Sequence, residues 1–291
     1  MSQKKQLEGF GPSIHFGIDE DVYRADPALS YSGMKVLLDS ELEFWLLSHM
    51  NPYRKEMEPT DSMKKGTWFH CLLLEPELFN TRYFVFPVEA NVQGKKMVKL
   101  SEYNAARDAI AQLKKMKNYT MFFEGGYPEV AIFWRDEATG LMMKAKHDYF
   151  STLYSTDYKT TDTLFIPYLM SKVKKYGYNI QAAVYLESRM KIRQALLADQ
   201  ALIYGDVDKD FLKTFINNEY DSFVFVFQKT VQPYAAQINI LPEPDIDFGC
   251  RMARRALNKY RKCLDKYGHE MWETLDGKIK ELSYYDDDLD Y

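Results

Sequence analysis

Lys144-Ala-Lys-His-Asp148, followed nine residues later by Asp157-Tyr-Lys159, is the stretch of sequence that decides the predicted fold. Asp157 and Lys159 are two residues apart, so on a β-strand their side chains project from the same face. Lys144, Lys146 and Asp148 share a face of the preceding strand by the same period of two. Burying these carboxylates and lysines in a core would be costly, so we expect this side of the sheet to line a cleft.

The residue types in this cluster indicate a chemistry as well as a place. Carboxylates are hard oxygen ligands of the kind that Mg²⁺ takes. A lysine held beside them can orient or deprotonate a water, or stabilise the charge that develops on phosphorus. The pattern therefore favours a site that binds a divalent cation and cleaves a phosphodiester. Asp157 and Lys159 alone leave a second interpretation open, a surface ion pair in an ordinary hairpin.

Hydrophobic periodicity predicts a mixed α/β chain around this cluster. A short polar turn at residues 136–140, between two β-rich runs, is a hairpin signal. The predicted strands are residues 129–135, 141–150, 156–160, 222–228 and 233–240. The predicted helices are residues 30–50, about 66–76, 101–117, 166–197 with a break at Gly177, and 251–266. Residues 84–100, which carry Lys95, Lys96 and Lys99, are expected to form a surface loop.

Composition excludes several classes of protein. The chain has 291 residues, 46% of them hydrophobic and 15% aromatic, so it can bury a sizeable core and is not a disordered chain. No apolar run is long enough to span a membrane and the N-terminus lacks a signal-peptide stretch, so a cytosolic protein is expected. The cysteines, Cys71, Cys250 and Cys263, lack CxxC spacing. This argues against a disulfide framework, a zinc site and an iron–sulfur cluster.

The net charge of −4 is awkward for a nucleic-acid-binding protein, because binding to phosphates normally needs a basic surface. The charge is unevenly distributed, however. Residues 283–291 form an acidic tail that carries four negative charges and is expected to be flexible, whereas residues 251–262 are strongly basic. A channel needs only a basic lining, so the overall acidity is a weak argument against nucleic-acid binding. Neither repeats nor a linker are visible, which predicts a single domain over residues 1–291.

Four stretches, in order, resemble the PD-(D/E)xK nuclease superfamily and, within it, the RecE-like (exonuclease VIII-like) exonucleases of phages and prophages. They lie within roughly residues 20–240 and are Ala25–Met34, Gly66–Pro76, the set Asp148/Asp157/Lys159, and Gln181–Tyr185. The resemblance implies a restriction-endonuclease-like α/β core, a central mixed β-sheet flanked by helices, with an N-terminal helical elaboration. The chain departs from the superfamily's name motif at His147, which replaces proline, and at Asp157, which stands in place of glutamate.

The resemblance also implies roles for individual residues. The implied metal ligands are the side chains of His70, Asp148 and Asp157 and the backbone carbonyl of Tyr158. Lys159 would position or activate the attacking water, which makes Asp148, Asp157 and Lys159 the catalytic set. Glu129, at the start of the first strand, is an auxiliary carboxylate that could act through a water. Without the resemblance, His70 on its apolar helix would be interpreted as a core histidine.

DNA contacts are expected on both sides of the cluster. Gln181 and Tyr185 are four residues apart on one helix face, and the resemblance implies that they hold DNA near the scissile phosphate. Lys144 and Lys146 are the expected DNA-binding lysines of the cleft. Taken alone, Gln181 and Tyr185 are equally well explained as an exposed glutamine and a half-buried tyrosine.

The activity implied by the resemblance is that of an Mg²⁺-dependent exodeoxyribonuclease, with Mn²⁺ as a substitute. Such an enzyme digests linear double-stranded DNA in the 5′→3′ direction and leaves 3′ single strands for a single-strand annealing protein in phage-type recombination. A ring-shaped homo-oligomer in the cytoplasm of a bacterial host is expected by family analogy. Two alternatives stay open: an inactive or repurposed nuclease fold that binds DNA or protein as a phage component, and an RNA- or structure-specific endonuclease.

Overall fold

The computed structural model describes residues 11–55, 58–88 and 93–272. The strands are β1 (Ser13–His15), β2 (Tyr83–Phe86), β3 (Lys96–Lys99), β4 (Tyr127–Arg135), β5 (Met142–Phe150), β6 (Tyr154–Thr161), β7 (Leu202–Tyr204), β8 (Ser222–Lys229) and β9 (Ala236–Asn239). The helices are α1 (Glu20–Ala25), α2 (Tyr31–Asp39), α3 (Glu41–Leu47), α4 (Asp61–Leu74), α5 (Pro76–Arg82), α6 (Leu100–Leu113), α7 (Tyr119–Phe123), α8 (Ile166–Tyr176), α9 (Tyr178–Leu197), α10 (Lys209–Ile216) and α11 (Glu243–Tyr267). The predicted acidic tail, residues 283–291, lies outside the described residues.

Seven strands form a central mixed sheet in the order β7-β1-β4-β5-β6-β8-β9. The pairs β7/β1 and β6/β8 are parallel, and the other neighbouring pairs are antiparallel. Strands β2 and β3 make a separate two-stranded sheet. The predicted architecture, a central mixed sheet flanked by helices with additional helices toward the N-terminus, is confirmed.

Strand β8 shows how the sheet is buried on both faces. Phe223, Phe225 and Phe227 belong to the core formed with α2, α9 and α11, whereas Val224 and Val226 belong to the core formed with α4, α6 and α7. Successive side chains of a strand point to opposite faces, so a strand that is covered twice needs an uninterrupted apolar run. The alternation of phenylalanine and valine in this strand supplies one residue type to each face.

Local sequence signals set the helix ends. Gly177 ends α8 with a φ of +65°, a left-handed conformation that glycine adopts without strain, and α9 begins at the next residue. The predicted break at Gly177 is therefore confirmed. The single helix predicted for residues 30–50 is wrong, because Ser40 divides it. The Ser40 side chain accepts a hydrogen bond from the N–H of Glu43 and caps α3.

The surface loop predicted for residues 84–100 is wrong at both ends of this range, where strands form. Strands β2 and β3 lie largely within this range and pair in parallel. In β3 only Val98 is buried, and it packs with Tyr83 and Val85 of β2. The prediction failed because a four-residue run with one buried side chain among lysines carries almost no periodicity.

Several short elements have no clear signal in the sequence. Strands β1 and β7 have three residues each, and α1 has six. Strand β1 is inserted between β7 and β4, so the segment near the N-terminus becomes part of the central sheet. The basic helix predicted at 251–266 is longer and begins at Glu243. Among the helices that the structure describes, none has both the length and the apolar character that a bilayer crossing needs.

A buried arginine fixes the turn between β5 and β6. Arg189 on α9 donates to the backbone carbonyls of Ser151, Thr152 and Tyr154 at distances of 3.0, 2.9 and 3.1 Å. Its Nε lies 2.5 Å from Asp221 Oδ1, which balances the buried charge. These carbonyls lie in or next to the turn, so α9 holds the two strands of the predicted site in a fixed relation.

Replacing Arg189 by methionine should lower the free energy of unfolding by at least about 3 kcal/mol, because several buried acceptors lose their donor. Denaturant unfolding of the purified variant measures this loss. Lys191→Met on the same helix is the matched control. Lys191 pairs with the exposed Glu137, so its loss should cost less than about 1 kcal/mol. Equal losses in the two variants would contradict the role assigned to Arg189.

Candidate functional site

The central sheet opens where two of the predicted carboxylates meet. Strands β5 and β6 pair at their Tyr149–Phe150 and Ser155–Thr156 ends. Continuing this register would pair Asp148 with Asp157, but the ladder stops before them. The separation of the strands leaves room for charged groups in the middle of a buried sheet, where they would otherwise be costly.

A second irregularity lies on the other side of Asp148. Pro128 and Val130 of β4 pair with the residues of β5 on either side of Asp148, which places Glu129 opposite Asp148. Glu129 has a φ of +52°, a left-handed conformation that is uncommon for a residue with a side chain. Strain of this kind persists where the surrounding structure holds a residue for a function. Glu129 is therefore a candidate functional residue on conformational grounds alone.

Asp148 is held by contacts across the gap. Its Oδ2 accepts a hydrogen bond from the backbone N–H of Tyr158 on β6 at 2.8 Å. The same oxygen lies 3.5 Å from Nδ1 of His70, which α4 carries into the site. His70 in turn donates from Nε2 to the carbonyl oxygen of Tyr158 at 2.6 Å. Asp148, His70 and the Tyr158 carbonyl, three of the four predicted metal ligands, therefore lie together.

His70, Glu129 and Asp148 form a group that could hold a metal ion. One ligand atom from each residue lies within 4.8 Å of the other two. Burial raises the pKa of Asp148, an effect that His70 opposes and the charge of Asp157 increases. The site thus disfavours the negative charge of Asp148 in the absence of a cation. Glu129, predicted only as an auxiliary carboxylate, is a full member of this group.

Lys146 neutralises the outer part of this group. Its ammonium lies 2.5 Å from Glu129 Oε2 and also contacts the carboxylate of Glu20 on α1. Burial alone would lower the pKa of Lys146, but the two carboxylates outweigh it and raise the pKa. Lys146 therefore stays charged at the edge of the site, where both of its ion pairs are with carboxylates of the chain.

Asp157 contacts α9 and does not join the group around His70. Its Oδ1 accepts a hydrogen bond from Nε2 of Gln181 at 2.5 Å, and Lys159 Nζ lies 2.5 Å from its Oδ2. Asp157 is thus not among the residues whose ligand atoms lie within 4.8 Å of one another, and its role as a metal ligand stays a prediction. Gln181 is 2% exposed, so it orients Asp157 and does not present its amide to DNA.

The donor set fits a divalent cation of the Mg²⁺ or Mn²⁺ type, since it consists of carboxylate oxygens and one imidazole nitrogen. Within the described residues, Asp157 Oδ2 and Gln181 Oε1 are buried and lack a hydrogen-bond donor in suitable geometry. The Lys159 ammonium is close to the Asp157 oxygen, but as an ion pair without that geometry. Buried acceptors of this kind are costly, and a nearby cation would offset the cost.

Lys159 completes the site on the side of α2 and α9. Its Nζ lies 5.1 Å from the ring centroid of Tyr178. Burial works against the ammonium, but Asp157, followed by Tyr31 and Asp148, keeps the pKa of Lys159 above its ordinary value. Lys159 is therefore a charged hydrogen-bond donor, which suits it to a phosphate oxygen.

Two predicted DNA-binding residues are buried away from this site. Lys144 donates to the carbonyl oxygens of Tyr23 and Asp26, both at 2.7 Å. Tyr185 is buried, with its ring centroid 4.7 Å from that of His147. In this arrangement neither side chain can contact DNA. Strand periodicity placed Lys144 on the expected strand but gave no sign of the N-terminal segment that covers it.

Sequence reasoning missed three residues that border the site: Glu20, Tyr31 and Tyr178. Tyr31 is the first residue of α2, and the capping serine before it, Ser30, was a usable signal. Tyr178 follows the helix break at Gly177, and the break by itself indicates no function for the residue after it. No local pattern marks Glu20, since its contact with Lys146 joins residues far apart in the chain.

Mn²⁺ should raise the melting temperature of the wild type by mass action, by an amount equivalent to about 2.7 kcal/mol at a hundredfold excess over its dissociation constant. His70→Ala and Asp148→Asn should lose most of this increment, because each removes a ligand. His49→Ala, at a histidine outside the site, should keep it. Differential scanning fluorimetry with and without Mn²⁺ measures all four proteins. If Mn²⁺ raises the melting temperature of His70→Ala as much as that of the wild type, His70 is not a metal ligand and its role is purely structural.

Stability should depend on pH through Lys144. Burial lowers its pKa to about 8, below the ordinary value of 10.5, so the unfolded chain binds this proton more tightly than the folded chain. Burying the charged lysine lowers the free energy of unfolding. This loss is complete below the pKa of Lys144 in the folded protein, and it disappears as the pH rises toward its pKa in the unfolded chain. Compared with Lys144→Met, the wild type should therefore gain stability between about pH 8 and about pH 10.5 in denaturant unfolding. If the free energies of unfolding of the two proteins change in parallel with pH, this expectation is wrong.

Solved structures with a similar fold include the following relative. It is a crystal structure from Eubacterium rectale described as that of a "putative exonuclease", with 16% sequence identity and a TM-score of 0.56, covering 84% of this chain and 87% of its own. At this level of identity the likeness concerns the fold alone. No curated protein sequence matches the chain.

A sequence family described as a PDDEXK-like domain of unknown function (DUF3799) matches residues 30–196. The matched range contains the group of His70, Glu129 and Asp148 together with Asp157 and Lys159. The predicted membership of the PD-(D/E)xK superfamily is thereby confirmed, while the narrower RecE-like assignment stays a prediction. Because the match covers more than half of its length, the chain belongs to the PDDEXK-like family DUF3799.

Proposed function

We propose that the protein is a metal-dependent deoxyribonuclease that hydrolyses phosphodiester bonds at the opening of its central sheet. The observation that carries this proposal is the meeting, in one gap between β5 and β6, of a candidate metal group with a charged lysine. Carboxylates and a neighbouring cation are the groups that phosphodiester hydrolysis requires. Membership of a PDDEXK-like family supports the same conclusion.

His70, Glu129 and Asp148 would hold the metal ion, with the Tyr158 carbonyl beside them. Mg²⁺ is the proposed ion and Mn²⁺ a substitute, since carboxylate oxygens suit both. When bound, such an ion polarises the phosphate and lowers the pKa of a water. The contribution of the chain is to hold the ligands: the Tyr158 N–H fixes Asp148, and α4 carries His70 to the gap.

Lys159 would act as a cationic donor toward the phosphate being cleaved. Its raised pKa keeps it protonated, so it positions the attacking water or stabilises charge on phosphorus and does not serve as the general base. Asp157 holds the ammonium, and Gln181 holds Asp157. A donor fixed in this way interacts most strongly when charge builds up on the phosphate, which favours the transition state.

The finer proposal is a RecE-like activity, 5′→3′ digestion of linear double-stranded DNA that leaves 3′ single strands. The ordered set of four resembling stretches supports it, and so does the description of the structural relative as a "putative exonuclease". Use of these strands by a single-strand annealing protein, assembly into a ring-shaped homo-oligomer and location in the cytoplasm of a bacterial host belong to the same proposal. They rest on the family analogy alone.

Incubation with linear and closed-circular duplex DNA tests the activity. Linear DNA should disappear only when Mg²⁺ or Mn²⁺ is present, chelator should stop the loss, and closed circles should persist. A label at the 5′ end should be released before a label at the 3′ end of the same strand. If closed circles are cut, the activity is that of an endonuclease and not of an exonuclease. If both DNAs survive, the proposed nuclease activity is wrong.

Lys159→Met separates catalysis from binding in the same assay. Its rate at saturating DNA should fall by at least about a hundredfold, as for the loss of a donor aimed at developing charge. The Mn²⁺-dependent rise in melting temperature should be retained. Lys174→Met removes an exposed lysine from α8 and is the matched control with an unchanged rate. An unchanged rate in Lys159→Met would make this lysine a docking residue.

A further inference from the structure

A cleft continues from Lys159 along the surface between α2 and the junction of α8 with α9. Its volume is about 410 Å³, within the range of sites that take small organic molecules. The lining is dominated by tyrosines and lysines and includes Tyr31, Ser32, Lys35, Lys175, Tyr176 and Tyr178. None of these residues has a part in the metal group described above.

Tyr176 presents an aromatic ring to this cleft. It is 45% exposed, and its ring is stacked with that of Tyr178 at 5.7 Å between centroids and an angle of 27°. Tyr178 is itself buried, with its ring 5.3 Å from that of Phe225 in the core. An aromatic ring that is anchored from below and exposed above is the kind of platform on which unpaired bases stack.

The charges of the cleft favour an anion near Tyr176. Lys35 is paired with Asp39, and Lys159 with Asp157. Lys175 forms no ion pair with any part of the chain that the structure describes, and it lies 5.5 Å from the ring centroid of Tyr176. A solvent-exposed ammonium beside an exposed aromatic ring matches the alternation of phosphate and base along a single strand.

Gly177 lies where the two sides of the cleft meet. Its φ of +65° favours glycine, and a Cβ there would lie 3.1 Å from Cδ of Lys35, which would have to shift slightly. The α8–α9 junction thus packs beside the Lys35 side chain of α2, whose first turn contributes Tyr31 and Ser32 to the lining. The cleft and the site of Lys159 are thus built by the same pair of elements.

We propose that this cleft binds one unpaired nucleotide next to the scissile phosphate, with its base stacked on Tyr176 and its phosphate at Lys175 and Ser32. The inference rests on the proposed nuclease function, because the cleft shares Lys159 with that site. Bases in the interior of a duplex are covered on both faces by their neighbours, so such a base can stack on Tyr176 only after its strand has left the duplex. The substrate class at this subsite is therefore single-stranded DNA.

Binding of a 3′-fluorescein-labelled thymidine hexamer, measured by fluorescence anisotropy in chelator, tests the subsite without turnover. Tyr176→Ala should bind about tenfold more weakly than the wild type, whereas Tyr176→Phe should bind normally because it keeps the ring. Tyr168→Ala is the matched control, since Tyr168 lies on the same helix, is 41% exposed and does not line the cleft. Lys175→Gln should weaken binding and reduce the slope of log affinity against log salt by about 0.7, and Lys174→Gln should do neither.

Failure of the subsite and failure of the proposed function give different results. If the wild type degrades DNA with metal but Tyr176→Ala binds the hexamer as tightly as the wild type, the subsite is rejected and the nuclease stands. If binding depends on Tyr176 but no DNA is cleaved with either metal, the subsite stands and the nuclease is rejected. A wild type that does not bind the hexamer at all rejects the subsite.

Discussion

Repulsion among three carboxylates shapes the centre of this fold. Glu129 on β4, Asp148 on β5 and Asp157 on β6 would be direct neighbours if both strand ladders were regular. Like charges placed opposite each other destabilise a sheet, and burial increases the cost. The separation of β5 from β6 relieves this repulsion between Asp148 and Asp157, whereas Glu129, in its left-handed conformation, stays close to Asp148 as a member of the candidate metal group. Each carboxylate then has its own cation or hydrogen-bond donor. Lys146 contacts Glu129, the Tyr158 N–H donates to Asp148, and Lys159 contacts Asp157.

The sheet opens at its centre, and helix α9 holds the strands β5 and β6 that border the gap. Arg189 ties the turn between β5 and β6 to this helix. His147, which replaces the proline of the superfamily motif, is buried with its ring nitrogens 2.8 Å from Ser155 Oγ and 3.0 Å from Ser188 Oγ. Burial holds the pKa of His147 well below its usual range, so the ring stays neutral and bridges strand and helix. The departure from the motif therefore changes a structural contact and removes no ligand.

Sequence alone predicted what depends on local pattern. The strands of the site, the break at Gly177 and the pairing of Asp157 with Lys159 follow from periods of two residues and from glycine chemistry. Prediction from the sequence failed where contacts join segments that lie far apart in the chain. Lys144 stands on the predicted strand, yet its ammonium is bound by carbonyls about 120 residues earlier in the chain. Asp157 was expected beside His70, but its contacts are with Gln181 and Lys159, and the spacing of the strand residues gave no sign that Gln181 of α9 would hold it.

The same contacts decide from which side a substrate can reach the carboxylates. On the β4 side, Glu20 holds Lys146, and the carbonyls of residues 23 and 26 hold Lys144, so the first helix closes that approach. On the β6 side, Lys159 borders an open cleft with exposed side chains. The lysines of β5 are thus held by contacts within the chain, whereas Lys175 of α8 is exposed and forms no ion pair with the residues that the structure describes. A net charge of −4 is compatible with this, because the potential inside a cleft is set by its own lining and not by the total charge of the chain.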